Sequence, residues 1–368
     1  MGEKIDFSKT NSIEYAVNIL IHELTHTLVF TTNMYKLYKA QPVTKEIMWQ
    51  GQKKVFMVTP KVVEASRKHY GCNSLVGVQL EDQGQETSAL THWESRIMLG
   101  DYMISNDFEE RAISDITLAL FEDSGWYQVN YGFTGGLFRF GKNEGCSFVE
   151  DKCIIAEQTL HPKEYCIESK ANRCMTSHTA KGYCFLLTGI ENIPEQYQYF
   201  TDKTKGGFGF ADFCPIIFPS TDFTKEYFGS NCQIGNKGIY PPGLGEVIGN
   251  NSICIESSLA KKGDSSVEDY KGKLIAKCHE VNCDYASNIF TVKVNDISFT
   301  CQKDGPTVLT NPDYDGEFHC PEYSRVFTNE KNYCNNLITC LGLDLSIDGA
   351  NYKFFSIYLL FSLIFLLS

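Results

Sequence analysis

Residues 22–26 read His22-Glu23-Leu24-Thr25-His26, and this short stretch decides how the chain is read. Around it, Ile13, Val17, Leu20, Ile21, Leu24 and Leu28 recur at helical spacing, and neither Gly nor Pro interrupts residues 12–41. The spacing predicts a helix from a cap at Asn11, with Glu14 three residues on as in a capping box, to about Phe30. On such a helix His22 and His26 lie one turn apart on one face, where both imidazoles reach one metal ion. Glu23 sits between them, where it can take a proton from a metal-activated water. A catalytic zinc needs a third protein ligand. A His six residues after the second, beyond a Gly, would supply one, but Thr32 and Val29 stand at those positions. The next histidines are His69 and His92.

Outward from the helix, a second helical stretch is expected near residues 60–70, opening on Pro60, and a third over 109–125, stopped by Gly125. Residues 130–145 carry five glycines and read as a connector. Beyond them the texture changes to short β-rich runs such as IFTVKVNDISFTC and turn clusters such as YPPGLGEVIGN. Of the 15 cysteines only Cys72 lies in the first 145 residues, and no CxxC pair occurs. This favours a disulfide framework made in an oxidising compartment over a structural zinc site. The odd count leaves one cysteine without a partner in this chain. His161, His178, His279 and His319 are scattered among the cysteines with no ligand spacing. Asn250-Asn251-Ser252 is a glycosylation sequon in a turn-rich region.

The 368 residues carry a net charge of -12 and 43% hydrophobic residues. A packed core of two or three domains is expected, and a nucleic-acid partner bound through a basic footprint is not. The N-terminus has no apolar run of signal-peptide type, and Asp6 stands where a myristoylation signal needs Ser or Thr. Phe354 to Leu367 is an unbroken apolar tail, short for a membrane span and followed only by Ser368. It reads as the signal for a C-terminal lipid anchor, or as a simple membrane tail, with Ser346 to Asn351 offering small attachment residues.

Several further strings converge on one family. YGCNSLVGVQLEDQG at 70–84, THWESR at 91–96, Met103 eleven residues after His92, LALFEDSGWYQVNYG at 118–132, GCSFVEDKC at 145–153 and ADFCP at 211–215 together resemble leishmanolysin. The spacing of Cys278, Cys283 and Cys301 resembles its C-terminal domain. Leishmanolysin is a surface zinc metallopeptidase whose metzincin motif is split by a long insertion before the third His. The resemblance implies an α+β fold: a metzincin-like catalytic region over 1–148, a cysteine-rich, β-containing domain over 149–345 and an anchor signal over 346–368. It implies that His22, His26 and His92 hold one Zn2+, that Glu23 is general base and then general acid, and that Met103 packs beneath the ligands. Chain order and the resemblance together imply a Cys72–Cys146 disulfide.

The expected function is therefore a cell-surface zinc endopeptidase acting on proteins or peptides. The alternative is a catalytically inactive surface protein of the same fold, used in adhesion or binding. Two departures favour that alternative. Val29 replaces a Gly that would turn the chain with positive φ, so strain is expected there. The chain also begins almost at the catalytic helix, which leads us to expect a truncated sequence.

Overall fold

A computed structural model describes residues 10–326, apart from 84–88, 107–110, 132–137, 170–171, 220–229, 234–239, 285–286, 288, 296, 302–304 and 309–310. The apolar C-terminal tail lies outside the described residues. Among those described, no helix is long and apolar enough to cross a membrane.

Helix α1 spans Thr10–Leu28, so Asn11 is already helical and is not the cap that its side chain suggested. Val17 and Ile21 are buried on its inner face, each stabilising the packed state by about 1.5–3 kcal/mol. A short helix α2 (Thr32–Tyr35) follows, capped by Thr31. Next comes a hairpin of β1 (Thr44–Trp49) and β2 (Gln52–Met57), which with β3 (Val78–Gln79) makes a three-stranded antiparallel sheet. Helix α3 runs over Pro60–Tyr70, with Pro60 in its first turn and Gly71 closing it at φ 69°. A single turn, α4 (Ser95–Met98), is capped by the Glu94 carboxylate.

Helix α5 is Asp115–Ser124, shorter than expected from residues 109–125. Ser114 starts it by accepting from the Thr117 N–H, a cap that interrupts the apolar pattern. Gly125 ends it in the left-handed region at φ 74°. Helix α6 (Cys146–Glu150) begins at one end of a disulfide to Cys72, with a Cα–Cα distance of 4.8 Å.

The rest is mainly β. Strands β4 (Asn172–Cys174), β5 (Lys181–Phe185) and β6 (Ile216–Pro219) form one antiparallel sheet. Strands β7 (Ser252–Ser257), β8 (Ala260–Lys261), β9 (Ile275–Asp284), β10 (Ile289–Val294), β11 (Ile297–Cys301), β12 (Gly305–Val308), β13 (Tyr314–Asp315) and β14 (Glu317–Cys320) follow. Six of them build a sheet in the order β11-β10-β9-β7-β14-β12, and β13 pairs with β8. Helix α7 (Tyr323–Val326) closes the described chain.

Two main apolar cores result. One runs from Val17 to Ile217 and takes side chains from both sides of residue 148; the other joins Ile253 to Val326. Besides Cys72–Cys146, disulfides link Cys153–Cys214, Cys166–Cys184, Cys174–Cys254, Cys232–Cys278 and Cys301–Cys320. Cys334 and Cys340 lie outside the described residues. Asn250 is exposed in the turn before β7.

Candidate metal centre

Three imidazoles converge at the C-terminal half of α1. The Nε2 atoms of His22 and His26 are 3.0 Å apart, and the Nε2 of His92 lies 3.2 Å from the first and 3.1 Å from the second. His22 and His26 are adjacent because one helical turn separates them. His92 arrives from the insertion, 66 residues beyond His26.

The protonation of the two helical imidazoles is fixed by their outer neighbours. His22 Nδ1 faces the Tyr102 carbonyl at 2.7 Å, and His26 Nδ1 faces the Phe30 carbonyl at 3.0 Å. A carbonyl oxygen only accepts, so each Nδ1 carries the proton and each Nε2 presents a lone pair to the centre. Burial pushes His22 below its usual range, although the Tyr102 carbonyl works the other way. His92 could donate to one of these lone pairs at most. A divalent cation satisfies all three, and a tetrahedral zinc shell sets its nitrogens about 3.3 Å apart, close to the spacing here. The donor set and its spacing thus fit zinc.

The third imidazole is held by backbone ties. The His92 carbonyl accepts from the Glu81 N–H at 2.9 Å. Trp93 N–H donates to the Met103 carbonyl at 3.0 Å, and Glu94 N–H to the Gln79 carbonyl at 3.1 Å. Behind the loop lies a buried ionic cluster. Glu94 caps α4 through Arg96 N–H at 2.9 Å, and the Arg96 guanidinium lies 4.4 Å from the centre of the Trp49 ring. Burial, with Asp212 and Glu81 nearby, pushes the Glu94 carboxyl well above the usual range. Trp93 is fully buried and packs on Phe30 at 4.7 Å between ring centres. Phe30 therefore serves both ends of the motif: its carbonyl fixes His26, and its ring supports the loop of His92.

Val29 is not a point of strain. It is absent from the residues with positive φ, and its side chain is wholly buried. The turn is closed by Val29 and Phe30 N–H groups, both donating to the Thr25 carbonyl at 2.9 Å. The expectation that Val requires a left-handed backbone here is corrected: the chain leaves the helix without one, and the β-branched side chain fills the core instead.

Met103 is fully buried, in the segment whose Tyr102 carbonyl holds His22. Glu23 is exposed beside His22. Three neighbours were not singled out from the sequence. Thr25 Oγ1 donates to the Ile21 carbonyl at 2.9 Å, so the Tyr102 hydroxyl, also at 2.9 Å, must donate to Thr25. Asp101 is buried and accepts from Met103 N–H, Ser114 Oγ and Thr117 Oγ1; burial raises its carboxyl to about 6. An acidic residue among apolar ones, two before Met103, was the available signal.

The profile of the leishmanolysin family matches residues 4–333. The chain belongs to the leishmanolysin family. It is 30% identical over 308 residues to a leishmanolysin-like peptidase of Caenorhabditis briggsae, covering 66% of this chain and 46% of that protein. It is 26% identical over 284 residues to leishmanolysin of Leishmania donovani, covering 77% of this chain and 46% of the relative. A leishmanolysin homolog of Crithidia fasciculata is 26% identical over 321 residues, covering 84% of this chain and 47% of the relative. The chain thus spans about half the length of the curated relatives it matches.

Proposed function

We propose that the chain carries the catalytic centre of a zinc-dependent endopeptidase, with one Zn2+ held by His22, His26 and His92. The observation that carries this reading is the triangle of Nε2 atoms 3.0–3.2 Å apart, two of them stripped of protons by backbone carbonyls. Zinc bound there would polarise a scissile carbonyl, acidify a water and balance the oxyanion charge. The chain's own contribution falls to Glu23. Its carboxylate takes the proton of the attacking water and returns it to the leaving amine. His22, His26 and His92 would hold the ion through their Nε2 atoms and take no part in the proton transfer. Met103 packs as an apolar floor under the ligands rather than reacting.

The substrate class is peptide bonds in proteins or extended peptides. The six disulfides among the described residues support an oxidising, extracellular setting. The apolar run from Phe354 to Leu367 supports attachment to the cell surface by a lipid anchor or tail. Exposure of Asn250 supports a glycan on it.

The test is hydrolysis of an unfolded protein by the full-length protein. Activity should vanish with chelator, return with zinc and fail in Glu23→Gln. Hydrolysis that survives both treatments would remove this centre from the reaction. A chain that binds zinc yet cleaves nothing would instead favour the inactive binding protein.

A further inference from the structure

The Tyr102–Met103 peptide group is gripped at both ends. Its carbonyl oxygen accepts the Nδ1 proton of His22 at 2.7 Å. Its N–H donates to Asp101 Oδ1, also at 2.7 Å. The peptide is planar, and its C=O and N–H point in opposite directions. A carboxylate on one side and an imidazole on the other therefore lie along one dipole. An N–H that donates to an anion makes its own carbonyl a stronger acceptor. A stronger acceptor at Nδ1 makes Nε2 a more basic ligand, as a carboxylate does when it touches a metal-bound histidine directly.

We propose that Asp101 is a positioning residue of the metal centre, acting on His22 through the Tyr102–Met103 peptide group. The proposal rests on the zinc reading above and deepens it. The rest of the environment is built to hold the carboxylate in place. Asp101 is wholly buried, and its Oδ2 accepts from Ser114 Oγ at 2.5 Å and Thr117 Oγ1 at 2.8 Å. Thr117 in turn accepts from the Trp93 indole N–H at 2.7 Å, one residue from His92. In the preceding peptide group, Tyr102 N–H donates to the Ala112 carbonyl at 3.0 Å, which anchors the backbone on the N-terminal side. One buried charge thus connects the segment under His22, the cap of α5 and the loop of His92.

A merely structural role and this one part company in the metal's own signals. The full-length protein is loaded with cobalt in place of zinc, and its visible spectrum is recorded. Zinc affinity is measured by competition with a chromophoric chelator. Asp101→Asn keeps an acceptor for the Met103 N–H but removes the charge. We expect a changed cobalt spectrum and zinc affinity weakened about ten- to a hundredfold. Ser114→Ala keeps the charge and the Met103 tie while removing one anchoring hydrogen bond. It should lower the melting temperature and move both metal signals less than Asp101→Asn does; an equal or larger change would assign the effect to packing rather than to the charge and overturn the proposal. Asp101→Ala should be worse than Asn in affinity, and if it does not fold the other two variants decide the matter. A native cobalt spectrum and native affinity in Asp101→Asn would overturn the proposal. Failure of the unaltered protein to take up cobalt or zinc would remove the zinc reading, and this proposal with it.

Discussion

Two histidine environments in this molecule can be set side by side, one half-buried and one fully buried. In the candidate metal centre, His22 and His26 each spend one ring nitrogen on a backbone carbonyl and turn the other towards two more imidazoles. In the six-stranded sheet, His279 on β9 spends both: Nδ1 faces the Gly245 carbonyl at 3.1 Å and Nε2 the Ser257 hydroxyl at 3.1 Å. Its ring meets Phe318 edge-on, and burial pushes it down to about 3. His161 is likewise used at both ends, by Glu144 at 2.7 Å and Ser147 at 3.2 Å. A histidine with both nitrogens paired to protein belongs to the framework. One with a lone pair left over, facing others like it, is built to hold something else.

The sharpest break between the two regions should come from Glu23. Glu23→Gln should lower kcat by about 10²–10⁴-fold while zinc stays bound. His279→Gln should leave kcat unchanged at pH 7 in the protein that remains folded. Equal losses in both variants would erase the distinction.

The next effect belongs to the framework. Cys174–Cys254 closes a loop with a sequence separation of 80 and joins β4 to β7. Replacing both cysteines by Ala should cost about 4 kcal/mol in denaturant unfolding on chain-entropy grounds. Zinc affinity of the folded protein should not change. A loss of zinc in step with the disulfide would couple the regions we separate.

Smaller still is the pH response of the sheet. His279 is neutral when folded and ordinary when unfolded, so the unfolded chain binds the extra proton as pH falls below about 6.5. Its contribution is fully present above that pH and is lost progressively on acidification towards about 3. Between pH 7 and pH 5 the cost is about 2 kcal/mol. Between pH 7 and pH 5 the unfolding free energy from urea titration should fall by that much more in the unaltered protein than in His279→Leu. Equal falls would mean that His279 is not held neutral. Smallest is Met103→Leu, a volume-conserving change expected to cost under about 1.5 kcal/mol and to leave zinc bound. Loss of zinc in that variant would give Met103 more than a packing role.

Much of this was legible in the sequence because it is local. Two histidines and a glutamate at fixed helical offsets need only the helix, and Pro60 and Gly125 punctuate α3 and α5 by the φ values they permit or prefer. The resemblance to leishmanolysin brought His92 and the Cys72–Cys146 pair, which no local pattern reaches. Three features were out of reach or misread. Asn11 suggested a cap, but the helix begins at Thr10. The start of α5 is set by Ser114 rather than by the apolar pattern that precedes it. Val29 looked strained only on the assumption that the chain must turn with positive φ, whereas buried contacts set its path. Backbone carbonyls such as those of Phe30 and Tyr102 have no sequence signature at all, yet they decide which nitrogen of His26 and His22 faces the centre. Cysteine texture changes near residue 145, while the first apolar core continues to Ile217.

The central claim is that three imidazoles hold one zinc ion. Metal content by elemental analysis, alongside native mass spectrometry of the unaltered protein and of His92→Ala, tests it most directly. The account predicts one zinc per chain in the first and loss of tight zinc binding in the second, with the six disulfides intact in both. Zinc retained at full stoichiometry and affinity without His92, or no zinc in the unaltered protein, would contradict it.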